Sequence, residues 1–212
     1  VGSEMCIRDS LNTSSMALLT CQYKNKRIGF VRNHKAGSTT VMSLLSQMIH
    51  SEPARTIHSY RSWIDQNGEG SYIHKHDDYT HYIEQLESCD IRIGVWRNPV
   101  KKFMSGYYHT MFSPTGAQDH LWRGPKTLNN FLDDYEYYFT NQNVLDHCAT
   151  NTRKLGDSKH VYSCVVPIFA IARIKELLES ICMKPLTMVR LRNQSLDYDD
   201  ITNDQKDRIV KI

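Results

Sequence analysis

The stretch FVRNHKAGSTTV, residues 30–41, joins an apolar run to a lysine, a glycine and three hydroxyl side chains. The apolar run is typical of the end of a β-strand, and Ser38 or Thr39 can cap a helix that follows it. Backbone N–H groups at a strand-to-helix turn, together with a lysine, form a ready site for an anion. The stretch therefore predicts an anion-binding loop, which we call the Lys35 loop (residues 34–40).

The Lys35 loop differs from the phosphate-binding loop of nucleotide-hydrolysing P-loop proteins. That loop has the pattern G-x-x-x-x-G-K-[ST]. Counted from Gly29, His34 takes the place of the second glycine, and Ala36 takes the place of the Ser or Thr. The sequence thus disfavours a P-loop hydrolase, but it still predicts an anion site.

The composition fits one ordinary globular domain. The chain has 212 residues, of which 40% are hydrophobic and 23% are charged. Its net charge of +3 is too small to indicate a nucleic-acid partner, although it suits a local anion pocket. The six cysteines show no metal-ligand spacing, so they are interpreted as buried or free thiols.

No stretch approaches the roughly 20 apolar residues of a membrane span. We therefore expect no membrane span and a cytoplasmic protein, with the Golgi lumen as the alternative if an N-terminal anchor is missing. Residues 1–15 resemble a translated linker, so we expect a non-native or disordered leader there and a single domain over residues 16–212. Thr202 and Gln205 have the spacing of a capping box that opens a helix. Because the chain stops soon afterwards without a C-terminal cap, we expect that domain to be truncated.

Strand and helix patterns alternate along the chain. An apolar stripe at helical spacing follows residue 38, and Asn98-Pro99 places proline at the first position of a helix that reaches about His109. Strands are predicted at residues 27–32, 91–97 and 186–193. The alternation predicts an α/β fold with three layers, in which helices flank a central parallel sheet and ligands bind at the carboxyl ends of the strands.

A second candidate anion site follows the strand predicted at residues 91–97. Arg97 stands at the carboxyl end of that strand, and Ser105 lies in the second turn of the next helix. A guanidinium and a hydroxyl can converge there on a phosphate other than the one held by the Lys35 loop. The alternative is that Arg97 pairs with a carboxylate and Ser105 has no ligand.

Together, the two segments resemble the sulfotransferase superfamily, specifically its carbohydrate-type branch, which includes sulfotransferase family 2 and the uronyl 2-O-sulfotransferases. The 5′-phosphosulfate loop of that family has the pattern PKxGSTS, which is similar to HKAGSTT at residues 34–40. Its 3′-phosphate motif, RxPxxRxxSxYY, is similar to RNPVKKFMSGYY at residues 97–108. Two positions depart from the pattern: His34 replaces the usual proline, and Lys102 stands where a second arginine is common.

The resemblance implies an enzyme with a P-loop-like fold that uses 3′-phosphoadenosine 5′-phosphosulfate (PAPS) as donor. It implies that Lys35 stabilises the charge that develops on the oxygen bridging phosphorus and sulfur, so that no metal is needed. The acceptor is a hydroxyl, which the branch places on a carbohydrate. The implied PAPS ligands are Lys35, Ala36, Gly37, Ser38, Thr39 and Thr40 at the phosphosulfate, with Arg97 and Ser105 at the 3′-phosphate.

Sulfuryl transfer also needs a group that takes the proton from the acceptor hydroxyl. A histidine fits best because its pKa lies near neutral pH. The segment YIHKHDDY resembles the H-x-H segment that carries the base of the uronyl 2-O-sulfotransferases, which implies His76 as base and His74 as its support or substitute. His147 and His120 are interpreted as structural histidines. The alternatives are that this segment is a solvated loop or a chance metal pair, or that the base is a carboxylate, namely Asp77, Asp78 or Glu84.

Two rival functions come from other classes. A P-loop-type nucleotide kinase would need Mg²⁺ and a true phosphate-binding loop, which the order of Lys35 and Ala36 opposes. A catalytically inactive relative that binds anions or glycans would keep the basic residues but would need no base.

Overall fold

The structure, a computed structural model, describes residues 16–50, 70–74, 82–113, 119–156, 159–189 and 200–212. The expected leader, residues 1–15, and the expected base, His76, lie outside the described residues. The strands are β1 (Met16–Tyr23), β2 (Lys26–Val31), β3 (Gly70–His74), β4 (Ile91–Trp96) and β5 (Cys164–Pro167). The α-helices are α1 (Ser38–His50), α2 (Ile83–Glu87), α3 (Pro99–Phe112), α4 (Leu128–Asp133), α5 (Tyr135–Tyr138), α6 (Gln142–Cys148), α7 (Asn151–Leu155), α8 (Ala172–Cys182) and α9 (Asn203–Lys211).

The strands form one five-stranded sheet in the order β3-β1-β2-β4-β5. β2, β4 and β5 are parallel, whereas β1 runs antiparallel to β2 and to β3. The expected parallel sheet is therefore wrong in this part, and the sheet is mixed. The reason is the short connection after Tyr23, because a two-residue turn permits only antiparallel pairing. Lys24 closes that turn in the left-handed conformation, with φ 53°.

Helices cover both faces of the sheet, as expected for an α/β protein. On one face, α1 and α8 pack against Phe30 and Ile93. On the other face, Leu86 of α2 and Leu155 of α7 pack around Val31. Adjacent residues of a strand point to opposite faces, so Phe30 and Val31 enter different cores. Burial on both faces explains why β2 and β4 are nearly continuous apolar runs.

Two helix-start signals read from the sequence, Pro99 at α3 and the capping box at α9, form as predicted. The side chain of Asn98 accepts a hydrogen bond of 3.1 Å from the backbone N of Lys101, and Pro99 is the first residue of α3. In the capping box of α9, the N of Gln205 donates to Thr202 Oγ1 at 3.2 Å, and the N of Thr202 donates to Gln205 Oε1 at 3.0 Å. Helix α3 runs to Phe112, slightly beyond its predicted end, and packs with α4, α5, α6 and α9 in a second core.

The strand predicted at residues 186–193 is not a strand over the part that the structure describes, residues 186–189. The side chain of Gln47 in α1 accepts a hydrogen bond of 2.8 Å from the N of Thr187 and donates one of 2.8 Å to its carbonyl oxygen. Because these are the groups that would bond to a neighbouring strand, the glutamine takes the place of a sheet partner.

Two expectations from composition concern thiols and membranes. Within the described ranges, the cysteines Cys21, Cys89, Cys148, Cys164 and Cys182 are free thiols, as predicted. No helix in the same ranges is long and apolar enough to cross a membrane.

Candidate functional site

The two predicted anion loops lie side by side. β2 and β4 are adjacent and parallel, so the Lys35 loop and Arg97 leave the sheet at the same edge. Arg97 Nη1 donates a hydrogen bond of 2.9 Å to the carbonyl oxygen of Lys35. Both Lys35 and Arg97 are half-buried, which leaves part of each side chain accessible to a ligand. The structure thus brings together Lys35 and Arg97, one residue from each of the two predicted anion sites.

Two asparagines that the sequence analysis did not single out join these loops. Asn33 Nδ2 donates to the carbonyl oxygen of Val95 at 2.9 Å and to Asn151 Oδ1 at 2.8 Å. Asn151 Nδ2 donates to the carbonyl oxygen of Arg97 at 2.7 Å, and the N of Arg97 donates to Asn151 Oδ1 at 3.3 Å. The backbone leading into each loop is therefore fixed to the other by neutral amides. Residue 151 gives no local signal of this role, since its partners are far away in the sequence.

The backbone of the Lys35 loop is sharply turned. Lys35 and Gly37 both have left-handed conformations, with φ 61° and φ 81°. The loop is closed by hydrogen bonds to the carbonyl oxygen of Asn33, at 3.2 Å from the N of Ala36 and 2.7 Å from Ser38 Oγ. A Cβ atom on Gly37 would lie 3.1 Å from Ile171 Cδ1. The positive φ favours glycine at position 37, and the end of the Ile171 side chain would have to shift slightly to accept a larger residue.

The hydroxyl residues of the loop differ in what they can offer a ligand. Ser38 is the first residue of α1, so it is not the cap that the sequence predicted. Its hydroxyl donates a hydrogen bond to the carbonyl oxygen of Asn33. Ser38 can therefore offer a ligand its backbone N–H but not its hydroxyl hydrogen. Thr39 and Thr40 are half-buried in the first turn, whereas Ala36 is fully buried. The first turn of α1 carries a partial positive charge, which favours an anion beside these threonines.

Of the remaining predicted site residues, the structure describes some and not others. Ser105 is half-buried in the second turn of α3. His74 ends β3 and pairs with Met16; since β3 runs in the same direction as β2, His74 lies at the same edge of the sheet. Two strand spacings, about 10 Å, separate β3 from β2. Of the alternative bases, Glu84 is exposed at the start of α2, and Asp77 and Asp78 lie outside the described residues.

Lys102 is buried, with 1% of its surface exposed. Its Nζ donates to the carbonyl oxygen of Ala149, at the end of α6. The pKa of Lys102 is lowered from an ordinary 10.5 to about 7, chiefly by burial; the cations Lys154 and Arg97 also lower it, whereas Cys148 and Asp146 raise it. Lys102 therefore stands at the position of the second arginine in the motif without facing the site.

We predict that Lys102→Met stabilises the protein more at pH 6 than at pH 9. In the unfolded chain the lysine keeps its ordinary pKa, so between pH 7 and 10.5 only the unfolded state holds the proton. The free energy of unfolding of the wild type therefore rises with pH across that window. The benefit of methionine should be about 2–3 kcal/mol larger at pH 6 than at pH 9. Urea denaturation at both pH values measures it, with the exposed neighbour variant Lys101→Met as control; a gain independent of pH would contradict the buried charge.

Three histidine rings lie against one another behind the Lys35 loop. The ring centroids of His34 and His147 are 4.8 Å apart, and those of His147 and His109 are 4.6 Å apart. We call these residues the histidine column. His147 Nδ1 lies 2.8 Å from the carbonyl oxygen of Asn143, so we assign the ring hydrogen to Nδ1. From its sequence context His147 is interpreted as structural, and no local pattern connects the three residues.

The surroundings of the histidine column are cationic. Burial holds the pKa of His34 well below its usual range, and Arg32, His147, Lys154 and Lys102 lower it further. Burial also lowers the pKa of His147, with Lys35 as the next cause. The nearby carboxylate is Asp146, which is fully buried and pairs with Lys154 Nζ at 3.1 Å. Such a surplus of positive charge favours an anionic ligand.

Within the ranges that the structure covers, no group of three or more His, Cys, Asp or Glu side chains is arranged to hold a metal ion. The groups that face a ligand here are cations, hydroxyls and backbone N–H groups, which suit phosphate or sulfate. No family model matches the chain, and no match was found among curated proteins or among solved structures. A function for this chain therefore has to be inferred from its residues and their arrangement.

Proposed function

We propose that the chain is a PAPS-dependent sulfotransferase that moves a sulfuryl group to a hydroxyl of an acceptor, a carbohydrate in the branch that it resembles. The fold would then be P-loop-like, with the mixed sheet as a variation. The hydrogen bond from Arg97 to the Lys35 carbonyl carries the proposal. Because it holds the two anion loops together, a nucleotide with anionic groups at both ends can contact both.

The residues would divide the donor between them. In this proposal, Lys35, the N–H groups around Gly37 and the hydroxyls of Thr39 and Thr40 bind the phosphosulfate. Arg97 binds the 3′-phosphate, with its guanidinium shared between that phosphate and the Lys35 carbonyl. Ser105, in the second turn of α3, would donate a hydrogen bond from its hydroxyl to the same phosphate.

The reaction requires one bond to form and one to break. The acceptor oxygen attacks sulfur, and the S–O bond to the bridging oxygen breaks. The electron pair stays on that oxygen, which becomes part of the phosphate of adenosine 3′,5′-bisphosphate. Lys35 stabilises this charge, and the proton of the acceptor hydroxyl passes to a base, for which His76 remains the prediction, with His74 in support.

We expect Arg97→Ala to weaken the binding of adenosine 3′,5′-bisphosphate by about 10- to 100-fold, the range for losing a charge-assisted hydrogen bond. Isothermal titration calorimetry measures the change. The matched control is Arg92→Ala, because Arg92 is a half-buried arginine at the opposite end of β4. Unchanged affinity in a folded Arg97→Ala protein would remove this residue from the nucleotide site.

The group donor that the protein uses distinguishes a sulfotransferase from a kinase. Labelled PAPS, offered with a panel of hydroxyl-bearing glycans, tests sulfuryl transfer, and ATP with Mg²⁺ tests phosphoryl transfer. Transfer from ATP alone would establish the kinase. Tight binding of the bisphosphate without transfer to any acceptor, together with no effect of His76→Ala on binding, would favour the inactive binding relative.

A further inference from the structure

We propose that the histidine column, His34, His147 and His109, is part of the anion site and takes up a proton when an anion binds to the Lys35 loop. The inference rests on anion binding at that loop, which belongs to the proposed function, but it does not depend on sulfuryl transfer. It adds His147 and His109, which lie outside the two sulfotransferase motifs, and it gives a role to His34, which departs from the first motif.

The first support is where the column lies. His34 directly precedes Lys35 in the loop that follows β2. His109 lies four residues after Ser105 on α3, so the two share one face of the helix. His147, on α6, stands between them, with ring separations of 4.8 Å to His34 and 4.6 Å to His109. The column therefore connects the Lys35 loop to the side of α3 on which the second phosphate would bind.

The second support is the hydrogen-bonding state of His34. Its side chain is buried, with 4% exposed, and neither ring nitrogen has a hydrogen-bond partner among the described residues. A buried polar ring without partners is costly and uncommon. A bound anion that accepts a hydrogen bond from the ring would reduce that cost, and it would also supply the negative charge that a proton on the ring needs.

The third support is the balance of charge around the column. The cations that act on His34 and His147 come from the adjoining elements: Arg32 after β2, Lys35 in the loop, Lys102 on α3 and Lys154 on α7. On α6, Asp146 and Cys148 face Lys102 and act on its charge. The cations oppose a proton on the histidines. Asp146 is the carboxylate of this set, and burial raises the pKa of the Cys148 thiol to about 12, which keeps it neutral.

Anion binding changes this balance. In the ligand-free protein, burial and the cations hold the pKa values of His34 and His147 well below 6.5, so both rings are neutral near neutral pH. An anion beside Lys35 offsets the cations and raises these pKa values. The complex then holds more protons than the free protein, so binding must tighten as the pH falls.

The test uses adenosine 5′-phosphosulfate as the probe, because its phosphosulfate group does not titrate near neutral pH. Calorimetry at pH 6 in two buffers with different ionisation enthalpies gives the number of protons exchanged. We expect an uptake approaching one proton per ligand and a dissociation constant that falls by up to about tenfold per pH unit between about pH 7 and pH 5.

Variants assign the uptake to the column. His147→Phe keeps a ring between its neighbours but cannot hold the proton, so uptake should be lost or strongly reduced. His34→Phe provides the same test if the first variant does not fold. His160→Gln, which alters an exposed histidine outside the column, should leave uptake unchanged.

The outcomes separate this inference from the proposed function. Identical heats in the two buffers would show that no proton is taken up and would overturn the inference, while binding itself would still support the nucleotide site. Uptake that persists in both His147→Phe and His34→Phe would also overturn it. If adenosine 5′-phosphosulfate does not bind at any pH, the inference and the proposed nucleotide site both fail.

Discussion

Lys35→Ala is expected to lower the rate of sulfuryl transfer by about 10²- to 10³-fold, the range seen when one donor to a developing anion is removed. As the S–O bond breaks, negative charge grows on the bridging oxygen. In the proposed mechanism, the ammonium of Lys35 is the group of the Lys35 loop that stabilises this charge. The effect should fall mainly on the rate, because the other ligands of the phosphosulfate remain. Single-turnover transfer from labelled PAPS measures it, and calorimetry with adenosine 3′,5′-bisphosphate measures binding separately.

Lys24→Ala is a matched control for this variant. Lys24 and Lys35 both have left-handed backbones, with φ 53° and φ 61°, so alanine has the same conformational effect at both. Lys24 is exposed in the turn between β1 and β2, away from the edge at which the Lys35 loop lies. The control should keep its transfer rate. Near-normal turnover in a folded Lys35→Ala protein would refute the catalytic role.

Gly106→Ala is expected to lower the free energy of unfolding by about 3 kcal/mol, at the upper end of the range for overpacking. A Cβ atom at this position would overlap the carbonyl oxygen of His147 and would lie 3.0 Å from Cys148 Sγ. Both belong to α6, and a backbone carbonyl cannot turn aside as a side chain can. Helices α3 and α6 would have to move apart, which would also separate His109 from His147. Chemical denaturation measures the loss of stability.

Gly94→Ala is the comparison for Gly106→Ala. A Cβ atom on Gly94 would lie 3.1 Å from Cε1 of Tyr162, so the obstacle is a partly buried ring that can shift. We expect a loss of roughly 1 kcal/mol or less from this smaller overlap. Equal effects of the two substitutions would contradict the close approach of α3 and α6.

The sequence predicts well the features that depend on neighbouring residues. Asn98 and Pro99 fix the start of α3 through local hydrogen bonding and a preset φ, and the capping box at Thr202 does the same for α9. The Lys35 loop is recognisable because its lysine, glycine and hydroxyl residues lie within six positions of one another. In these cases, the interactions that form the structure join residues close together in the sequence, so the local sequence pattern is enough to predict them.

The sequence does not predict features that depend on distant residues. The turn at Lys24 has no glycine, so it gives no hairpin signal, and the antiparallel β1 is missed with it. Asn151 and His147 reach the site only because α6 and α7 return to the ends of β2 and β4. The motif places Lys102 where a second arginine is common, but nothing nearby in the sequence indicates that its ammonium is buried against the carbonyl of Ala149 at the end of α6.

The left-handed backbone at Lys35 has a consequence for engineering this protein. A residue with a side chain at such a φ loses about 1–2 kcal/mol relative to glycine. Screens that reward only heat resistance would therefore tend to exchange this lysine for glycine, and the improved protein would have lost its central cation. Any stabilisation campaign would have to select for ligand binding at the same time.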